Sequence, residues 1–216
     1  MQSGRVLVAF HKPFCVLSQF TGDGSAHRTL AEFGFPKGLY PIGRLDAESE
    51  GLLLLADEPA LNARLLHPTQ GHWRRYWALV ERLPGPEALG KLERGLVIGG
   101  HRTLPCRAWL LEPQPEVPPR EPPVRYRKNV QDVWIALELV EGKNHQVRRM
   151  TAAVGHPTLR LIRERIGEFR LGDLAAGQWR EVTPSERRLI FGEGAAPRDL
   201  PGTRAPGAVP RRPGRA

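Results

Sequence analysis

The amino-acid sequence predicts an α+β protein in which a mixed, mainly antiparallel sheet is flanked by helices and loops. Several apolar segments rich in β-branched and aromatic residues indicate strands, and fewer segments carry the caps and periodicity of helices. Strand and helix candidates follow one another without the regular alternation that parallel doubly wound sheets show. The pattern can be followed to about residue 191.

The strand candidates are short and are separated by turn residues. The first, at residues 5–10, is apolar and is followed by Lys12 and Pro13. Residues 52–56 contain a run of leucines and predict a buried strand. The remaining candidates are residues 76–80, 133–140 and 159–166.

Helices are predicted where capping residues border a suitable stretch. The strongest cap is the pair Thr183 and Glu186, which has the spacing of a capping box. The four candidates are residues 59–66 after Asp57, residues 86–94 before Gly95, the stretch between Asn144 as N-cap and Gly155 as C-cap, and residues 184–190.

The chain of 216 residues is basic, with 32 Lys and Arg against 23 Asp and Glu and a formal net charge of +9. Residues 192–216 have no periodicity and are predicted to be a disordered tail rich in Pro, Gly and Arg. The tail holds five arginines against Glu193 and Asp199, a net charge of +3, so the predicted domain at residues 1–191 carries +6. Positive charge on both parts indicates a polyanionic partner.

A second irregular segment, residues 112–128, contains six prolines and is predicted to be one long loop. Loops of this length are usually functional or disordered. Its basic residues are suited to contact with RNA, and a solvated linker is the alternative. They are Arg120, Arg125, Arg127 and Lys128.

Several classes of protein and site are disfavoured. No apolar run approaches the ~18 residues that cross a bilayer, and the N-terminal residues lack the apolar stretch of a secretory signal, so we expect a cytoplasmic protein without a membrane partner. Cys15 and Cys106 lie far apart, and the seven histidines show no metal-ligand spacing. Because glycine-rich phosphate-binding motifs are also missing, we expect no metal, nucleotide or other cofactor.

A polar loop with glycines at both ends, Gly43 and Gly51, leads into the leucine-rich strand. Such a loop, held against a rigid strand, is a favourable place for a catalytic group. From spacing alone, Asp46 could equally be a residue that caps a turn or a helix and has no catalytic role. Glu48 and Glu50 lie close by, but carboxylates so near in sequence are a weak indication of glycoside chemistry.

The helix predicted to follow Asn144 has two distinct faces. One is apolar and is predicted to be core; its residues are Val147, Met150 and Val154. The other is basic; its residues are His145, Arg148 and Arg149. The basic face could hold phosphates or place an arginine beside a carboxylate from another loop, and a solvated surface is the alternative.

Five sequence blocks occur in order: GRLD at 43–46 with GLLL at 51–54, RY at 75–76, EGKNHQVRRM at 141–150, GHPTLRLIRERIG at 155–167 and GDLAAGQWREVT at 172–183. Together they resemble the RsuA-type family of ribosomal RNA pseudouridine synthases over nearly all of residues 5–191. The short N-terminus, the Pro-rich loop and TLRLIR at 158–163 are most similar to the branch called RluE, which modifies large-subunit (23S) ribosomal RNA.

The resemblance implies a pseudouridine synthase fold and a site-specific, cofactor-free isomerisation of uridine in large-subunit ribosomal RNA by a monomeric enzyme. It implies that Asp46 is the essential catalytic aspartate, as nucleophile or as base. Arg148 would pair with Asp46 and keep it ionised. Tyr76 would stack on the flipped base and help to manage protons.

The resemblance also implies a substrate-binding set. Leu171 would form an aliphatic floor under the base, and Arg44 would enter the stack that the extruded uridine leaves. The other residues of this set are Lys143, Asn144, His145, Gln146 and Arg149.

Two features depart from the family pattern. Many relatives carry a small S4-like RNA-binding module ahead of the catalytic domain, and a first strand that begins at Arg5 leaves no room for one here. Ser49 stands where the family often has threonine. A non-catalytic ribosomal RNA-binding or assembly protein remains an alternative, as does a synthase for small-subunit ribosomal RNA or transfer RNA. The intact Asp46, Tyr76 and Arg148 favour an enzyme, because binding alone would need the basic residues but not the aspartate.

Overall fold

The computed structural model of the chain describes residues 5–66, 72–124 and 130–192. Over these ranges the chain forms a mixed nine-stranded sheet, a separate two-stranded hairpin and four α-helices, which confirms the predicted α+β class. The strands are β1 (Leu7–Lys12), β2 (Tyr40–Ile42), β3 (Glu50–Ala56), β4 (Arg74–Glu81), β5 (Val97–Ile98), β6 (His101–Arg102), β7 (Arg107–Leu110), β8 (Asp132–Leu139), β9 (Thr158–Ile166), β10 (Phe169–Arg170) and β11 (Trp179–Glu181). The helices are α1 (Ala60–Leu66), α2 (Pro86–Arg94), α3 (Gln146–Ala153) and α4 (Pro184–Phe191), and a 3-10 turn spans Leu30–Phe33.

The sheet has the strand order β11-β1-β3-β9-β4-β8-β7, with β2 added to β3 and β10 added to β9. Among the described strands, the pairing of β3 with β9 is parallel and the others are antiparallel. At this parallel contact Gly51 lies opposite Arg163. A Cβ at Gly51 would lie 2.5 Å from the Arg163 carbonyl oxygen, and the φ of +102° also favours glycine. Gly51 therefore allows the start of β3 to approach the middle of β9.

The leucine-rich strand β3 is buried along its whole length because both faces of the sheet are covered there. Leu52 and Leu54 pack in a cluster with residues of α1 and α4. Leu53 and Leu55 pack on the opposite side, against apolar residues between 16 and 45. This alternation follows from the two-residue period of a strand.

The other half of the sheet packs its inner face against α2 and α3. Val147 and Met150 are buried there and Val154 packs against the same cluster, which confirms the predicted apolar stripe. The predicted N-cap is wrong: His145, not Asn144, precedes α3, with a left-handed φ of 49° and no side-chain cap.

The end of α3 also differs from the prediction by one residue. Val154 is the C-cap, and Gly155 follows it with a φ of +87°. The amide of Gly155 donates to Ala152 O at 3.0 Å, and the amide of His156 donates to Thr151 O at 2.9 Å. This pair of hydrogen bonds is a Schellman motif, in which glycine occupies the position after the C-cap.

Helices α2 and α4 lie where the capping residues predict them. Gly95 is the C-cap of α2. The Thr183–Glu186 capping box is formed, and α4 continues one residue beyond its predicted end. Helix α1 begins at Ala60, and the carboxylate of Asp57 accepts from the amide of Val6 at 3.0 Å.

The described part of the Pro-rich loop, residues 112–124, is irregular as predicted. Arg120, however, points inward: its guanidinium lies 3.6 Å from the ring centroid of Phe14, and its Nε lies 3.9 Å from Glu50. Arg160 fastens the same loop, because it donates to Pro118 O and forms two hydrogen bonds to Glu50. The predicted RNA contact of Arg120 is therefore wrong for this conformation. Arg125, Arg127, Lys128 and residues 193–216 of the predicted tail lie outside the described residues.

A buried carboxylate organises the face of β4 and β8 opposite to α3. Glu138, 2% exposed, accepts hydrogen bonds from Arg75 at 2.9 Å, from Arg107 at 3.2 Å and from Arg165. Burial by itself raises the pKa of Glu138, but the hydrogen bonds and charges of these arginines hold that pKa below its ordinary value.

Within the described ranges, no helix is long and apolar enough to span a membrane.

Candidate active site

A pocket of about 600 Å³ opens where the loop before β3, strands β4 and β9, and the segment between β8 and α3 meet. We call it the Asp46 pocket. The structure brings together seven of the ten residues that the sequence predicts for the site. They are Arg44, Asp46, Tyr76, Lys143, Asn144, His145 and Gln146. The lining does not include Arg148, Arg149 or Leu171.

The loop that carries Asp46, residues 43–49, is held through its main chain at four positions. Each position contacts a side chain from a different part of the protein. The contacts are Gly43 N to Asn62 Oδ1 (2.8 Å), Leu45 N to Ser18 Oγ (3.0 Å), Lys12 Nζ to Ala47 O (3.1 Å) and Arg148 Nη2 to Glu48 O (2.8 Å). A further hydrogen bond, from Ser49 N to Asp46 O, closes a turn. The backbone at Asp46 is thus fixed before any substrate binds, as a preorganised catalytic site requires.

Lys12 is the most deeply buried of the side chains that hold this loop. Its ammonium donates to Ala47 O and also to Val16 O at 2.7 Å and Pro13 O at 2.9 Å. Three oxygens match the three N–H donors of a protonated lysine, whereas a neutral amine has two. Burial lowers the pKa of Lys12 to about 7, against the opposing effects of Glu50 and Asp46.

This pKa predicts how the stability effect of Lys12 changes with pH. The unfolded chain has the ordinary lysine pKa of 10.5, so it binds more protons than the folded protein between about pH 7 and 10.5. The contribution of Lys12 to the free energy of unfolding therefore rises with pH across this window, by up to ~1.4 kcal/mol per pH unit. In Lys12→Met this contribution is absent. We expect wild type to gain stability relative to the variant between about pH 7.5 and 9.5, measured by denaturant unfolding; a constant difference would contradict the assignment.

Tyr76 reaches the pocket from β4, where it lies opposite Arg163 of β9. Arg75 lies opposite Arg165, so Glu164 is the extra residue of a β-bulge. Such bulges change the direction in which neighbouring side chains point and are common beside active sites. The bulge and the parallel contact at Gly51 together place Tyr76, Arg163 and the Asp46 loop around one cavity.

Arg163 is a site residue that the sequence analysis missed. Its side chain lines the pocket and is buried; Nε donates to Leu52 O at 2.7 Å, while Nη2 has no hydrogen-bond partner among the described residues. A buried donor without a partner costs free energy, so this guanidinium is suited to bind an acceptor of a ligand. The available signal was the number of charged residues in a predicted strand, since each charge that the strand buries calls for a partner.

Asp46 and His145 face each other across the pocket rim. Their Oδ2 and Nδ1 atoms are 3.6 Å apart, and both side chains are partly exposed. His145 adopts a left-handed backbone conformation, which is uncommon for residues other than glycine and concentrates at functional sites. The left-handed turn places an imidazole beside the carboxylate.

Arg148 takes a different position from the one that the resemblance implies. Its guanidinium donates to the backbone oxygens of Glu48 and Thr158, at 2.8 and 3.2 Å. Within the part of the chain that the structure describes, His145 is the basic side chain that lies within 4.0 Å of the Asp46 carboxylate, so the expected Arg148–Asp46 contact pair is not formed. The charges still interact: burial lowers the pKa of Arg148, whereas Glu48 and then Asp46 raise it.

The other predicted residues divide between the rim, the interior and the outside of the pocket. Lys143 and Asn144 are exposed at the rim. Gln146 is buried, and its amide is already bonded to Lys143 N at 2.9 Å and Glu141 at 2.7 Å, so it closes the loop before α3. Arg149 lies outside the pocket, beside Gly99; its Nη1 is 3.4 Å from the point where a Cβ on Gly99 would lie.

Leu171 is also not part of the pocket lining, so its role as a floor under the base stays a prediction that this geometry does not support. It follows β10 and packs against the apolar cluster of α1 and α4, and its amide donates to Glu164 O. The apolar part of the pocket lining comes instead from other aliphatic residues. They are Leu45, Leu66, Leu139, Val147 and Leu161.

The pocket has no metal-binding arrangement in the ranges that the structure describes, since no group of three or more His, Cys, Asp or Glu side chains is placed to hold an ion there. Its charged lining instead combines Asp46 and Glu141 with the cations Arg44, Arg74, Lys143 and Arg163. A carboxylate surrounded by an excess of positive charge suits acid–base or nucleophilic chemistry on an anionic polymer.

Comparison with known families gives one match that spans more than half of the chain. Residues 6–153 match the family model described as RNA pseudouridylate synthase. This range includes the Asp46 loop, Tyr76 and all of α3.

The alignments with individual relatives cover most of this chain and most of each relative. The chain is 50% identical over 171 residues to ribosomal large subunit pseudouridine synthase E of Xanthomonas axonopodis pv. citri, covering 79% of this chain and 90% of the relative. It is 43% identical to the protein of the same name from Vibrio parahaemolyticus, covering 82% and 74%. It is 36% identical to ribosomal large subunit pseudouridine synthase B of Bacillus subtilis, covering 86% and 71%. A crystal structure of a pseudouridylate synthase shares the fold, with a TM-score of 0.69, 24% identity and coverage of 86% and 74%.

Proposed function

The chain belongs to the RNA pseudouridylate synthase family, and from this membership we propose that it isomerises uridine to pseudouridine at a specific site in large-subunit (23S) ribosomal RNA. The protein is thus an isomerase. Relatives named for the large subunit, at 50% and 43% identity, support this substrate. The observation that carries the catalytic assignment is the position of Asp46, on a loop held through its main chain at the edge of a pocket that also contains Tyr76.

The reaction exchanges one bond at the sugar for another. The bond between N1 and C1′ breaks, the uracil turns, and C5 bonds to C1′; a proton leaves C5 and N1 gains one. In our proposal the Asp46 carboxylate acts at the sugar, either as a nucleophile on C1′ or as a base, and both routes need it ionised.

The uridine must leave its stack before Asp46 can reach C1′. We assign Tyr76 to stack on the extruded base within the apolar lining and Arg44 to enter the vacated position in the RNA. The exposed Lys143 at the rim is suited to contact a phosphate beside the uridine. Arg163 Nη2, a buried donor without a partner in the described chain, is suited to bind a uracil carbonyl oxygen or a phosphate.

Arg148 acts in this proposal by positioning the Asp46 loop, through its hydrogen bond to Glu48 O, rather than by direct contact with the carboxylate. Gln146 has the same kind of role for the loop before α3. The catalytic domain would comprise residues 1–191, act as a monomer in the cytoplasm and use no cofactor. The named relatives act on ribosomal RNA, which supports the proposed partner.

The test is to map pseudouridines in all ribosomal and transfer RNA from cells with and without this protein. We expect the loss of a specific pseudouridine in 23S RNA and its return with the wild-type gene. Loss from small-subunit or transfer RNA would replace the proposed substrate. An unchanged map with delayed large-subunit assembly would support the non-catalytic alternative.

A further inference from the structure

A second cavity, of about 450 Å³, lies beside the Asp46 pocket and plays no part in the chemistry described above. It is a groove with largely apolar walls, and Tyr40 forms part of its edge. We call it the Tyr40 groove. The residues used in the argument are Phe20, Phe35, Lys37 and Tyr40.

Tyr40 is unusually exposed for a large ring on a strand. It is 64% accessible, although it belongs to β2 and pairs with Ala56 of the buried strand β3. Phe35 and Phe20 also line the groove; Phe35 makes edge contacts to Phe10 at 5.1 Å and to Phe20 at 6.1 Å. The groove therefore combines one accessible aromatic ring with two rings that are packed on each other.

The groove and the Asp46 pocket share one wall, which is β2. Tyr40 lines the groove and Pro41, the next residue, lines the pocket. Adjacent residues of one short strand thus line the two cavities, so the cavities are neighbours in the structure. A chain bound in the pocket needs to cross only β2 to reach the Tyr40 groove.

Positive charge lies on both sides of Tyr40. Lys37 lines the groove and Arg44 lines the pocket, and both side chains are exposed. Neither has a carboxylate within 4.0 Å in the part of the chain that the structure describes, whereas nearby Arg28 is paired with Glu32 at 2.7 Å. An exposed aromatic ring next to exposed cations is the combination found in single-strand binding sites, where a positively charged groove follows the backbone and bases stack on aromatic side chains.

We propose that the Tyr40 groove binds an unpaired nucleobase of the substrate RNA, close in sequence to the uridine in the Asp46 pocket. This inference rests on the proposed function. The base stacks on the Tyr40 ring, and Lys37 contacts a phosphate beside it. The enzyme thereby selects RNA in which the target uridine has an unpaired neighbour, because a base held in a helix cannot reach the ring.

The test uses a short RNA that contains the mapped uridine and compares the affinities of Tyr40→Ala and Tyr40→Phe with wild type. We expect Tyr40→Ala to bind about five- to 150-fold more weakly, the range of base–aromatic stacking, and Tyr40→Phe to bind within about twofold of wild type. Leu83→Ala is the control, because Leu83 is exposed but lines neither cavity. Single-turnover rates at saturating RNA should be unchanged in Tyr40→Ala, since the ring touches no reacting atom.

A second series replaces each nucleotide near the target, one at a time, by an abasic nucleotide. We expect one position to weaken binding to wild type by the factor seen for Tyr40→Ala and to have no effect on that variant. Wild-type affinity in Tyr40→Ala, or the absence of any coupled position, would refute the inference. Failure of wild type to form pseudouridine in this RNA would instead overturn the proposed function, and the inference with it.

Discussion

Asp46→Asn is expected to abolish pseudouridine formation while the protein folds and binds RNA as wild type does. The amide has nearly the shape of the carboxylate but is neither a nucleophile nor a base. The loss of a general base alone predicts a decrease of at least ~10²–10⁴-fold, and no residual activity is expected if the carboxylate is the nucleophile. The loop should keep its shape because its contacts involve the backbone of residues 43, 45, 47 and 48.

The measurement is the single-turnover release of tritium from C5 of labelled uridine in the RNA, since that proton leaves during the reaction. Asp173→Asn is the matched control, because Asp173 is exposed and lies outside the Asp46 pocket. Melting temperature and RNA affinity should be the same for both variants and wild type. Turnover by Asp46→Asn within tenfold of wild type would remove Asp46 from the chemical step.

The largest stability effect is expected for Glu138→Gln. The substitution leaves Arg75, Arg107 and Arg165 close together without the carboxylate that they share. Removing one partner of a buried charge cluster typically costs ~3–5 kcal/mol, because the remaining charges stay desolvated. For a protein of this size the expected decrease in melting temperature is roughly 10 °C.

Thermal and denaturant unfolding measure this effect, with Glu87→Gln as control because Glu87 forms an exposed pair with Lys91 on α2. The difference from wild type should also depend on pH. The folded-state pKa of Glu138 lies below its ordinary 4.5, so its contribution is present above about pH 4.5 and is lost as pH falls through the folded-state value. A Glu138→Gln protein that melts within about 2 °C of wild type would show that the cluster contributes little.

Local patterns were sufficient to predict the elements whose residues carry strong physical preferences. The leucines of β3, the apolar stripe of α3 and the caps of α2 and α4 each follow from hydrophobic period or hydrogen-bonding capacity. The two-residue strands β5 and β6 have too few residues for a period, and their pairing depends on the turn between them.

The sequence blocks that form the site could be predicted, but the contacts that their residues make with one another could not. Arg148 and Glu48 are 100 positions apart, and which oxygen the guanidinium meets depends on how α3 packs on the sheet. Arg163 reaches the pocket because of the β-bulge in β9 and the parallel pairing of β3 with β9, and neither feature can be recognised from the local sequence. Leu171 lies outside because β10 pairs with β9 and directs the chain toward α1 and α4.

The way in which the Asp46 loop is held has a consequence for how the enzyme can diverge. Four of its main-chain groups supply the contacts, so the side chains at positions 44, 47 and 48 are not needed to maintain its shape. We expect these positions to accept substitutions that alter which RNA is bound while the Asp46 carboxylate stays in place. The side chains that hold the loop have no such freedom, although they are distant from it in sequence. They are Lys12, Ser18, Asn62 and Arg148. A library restricted to positions 44, 47 and 48 is accordingly the most direct route to a synthase with a new target.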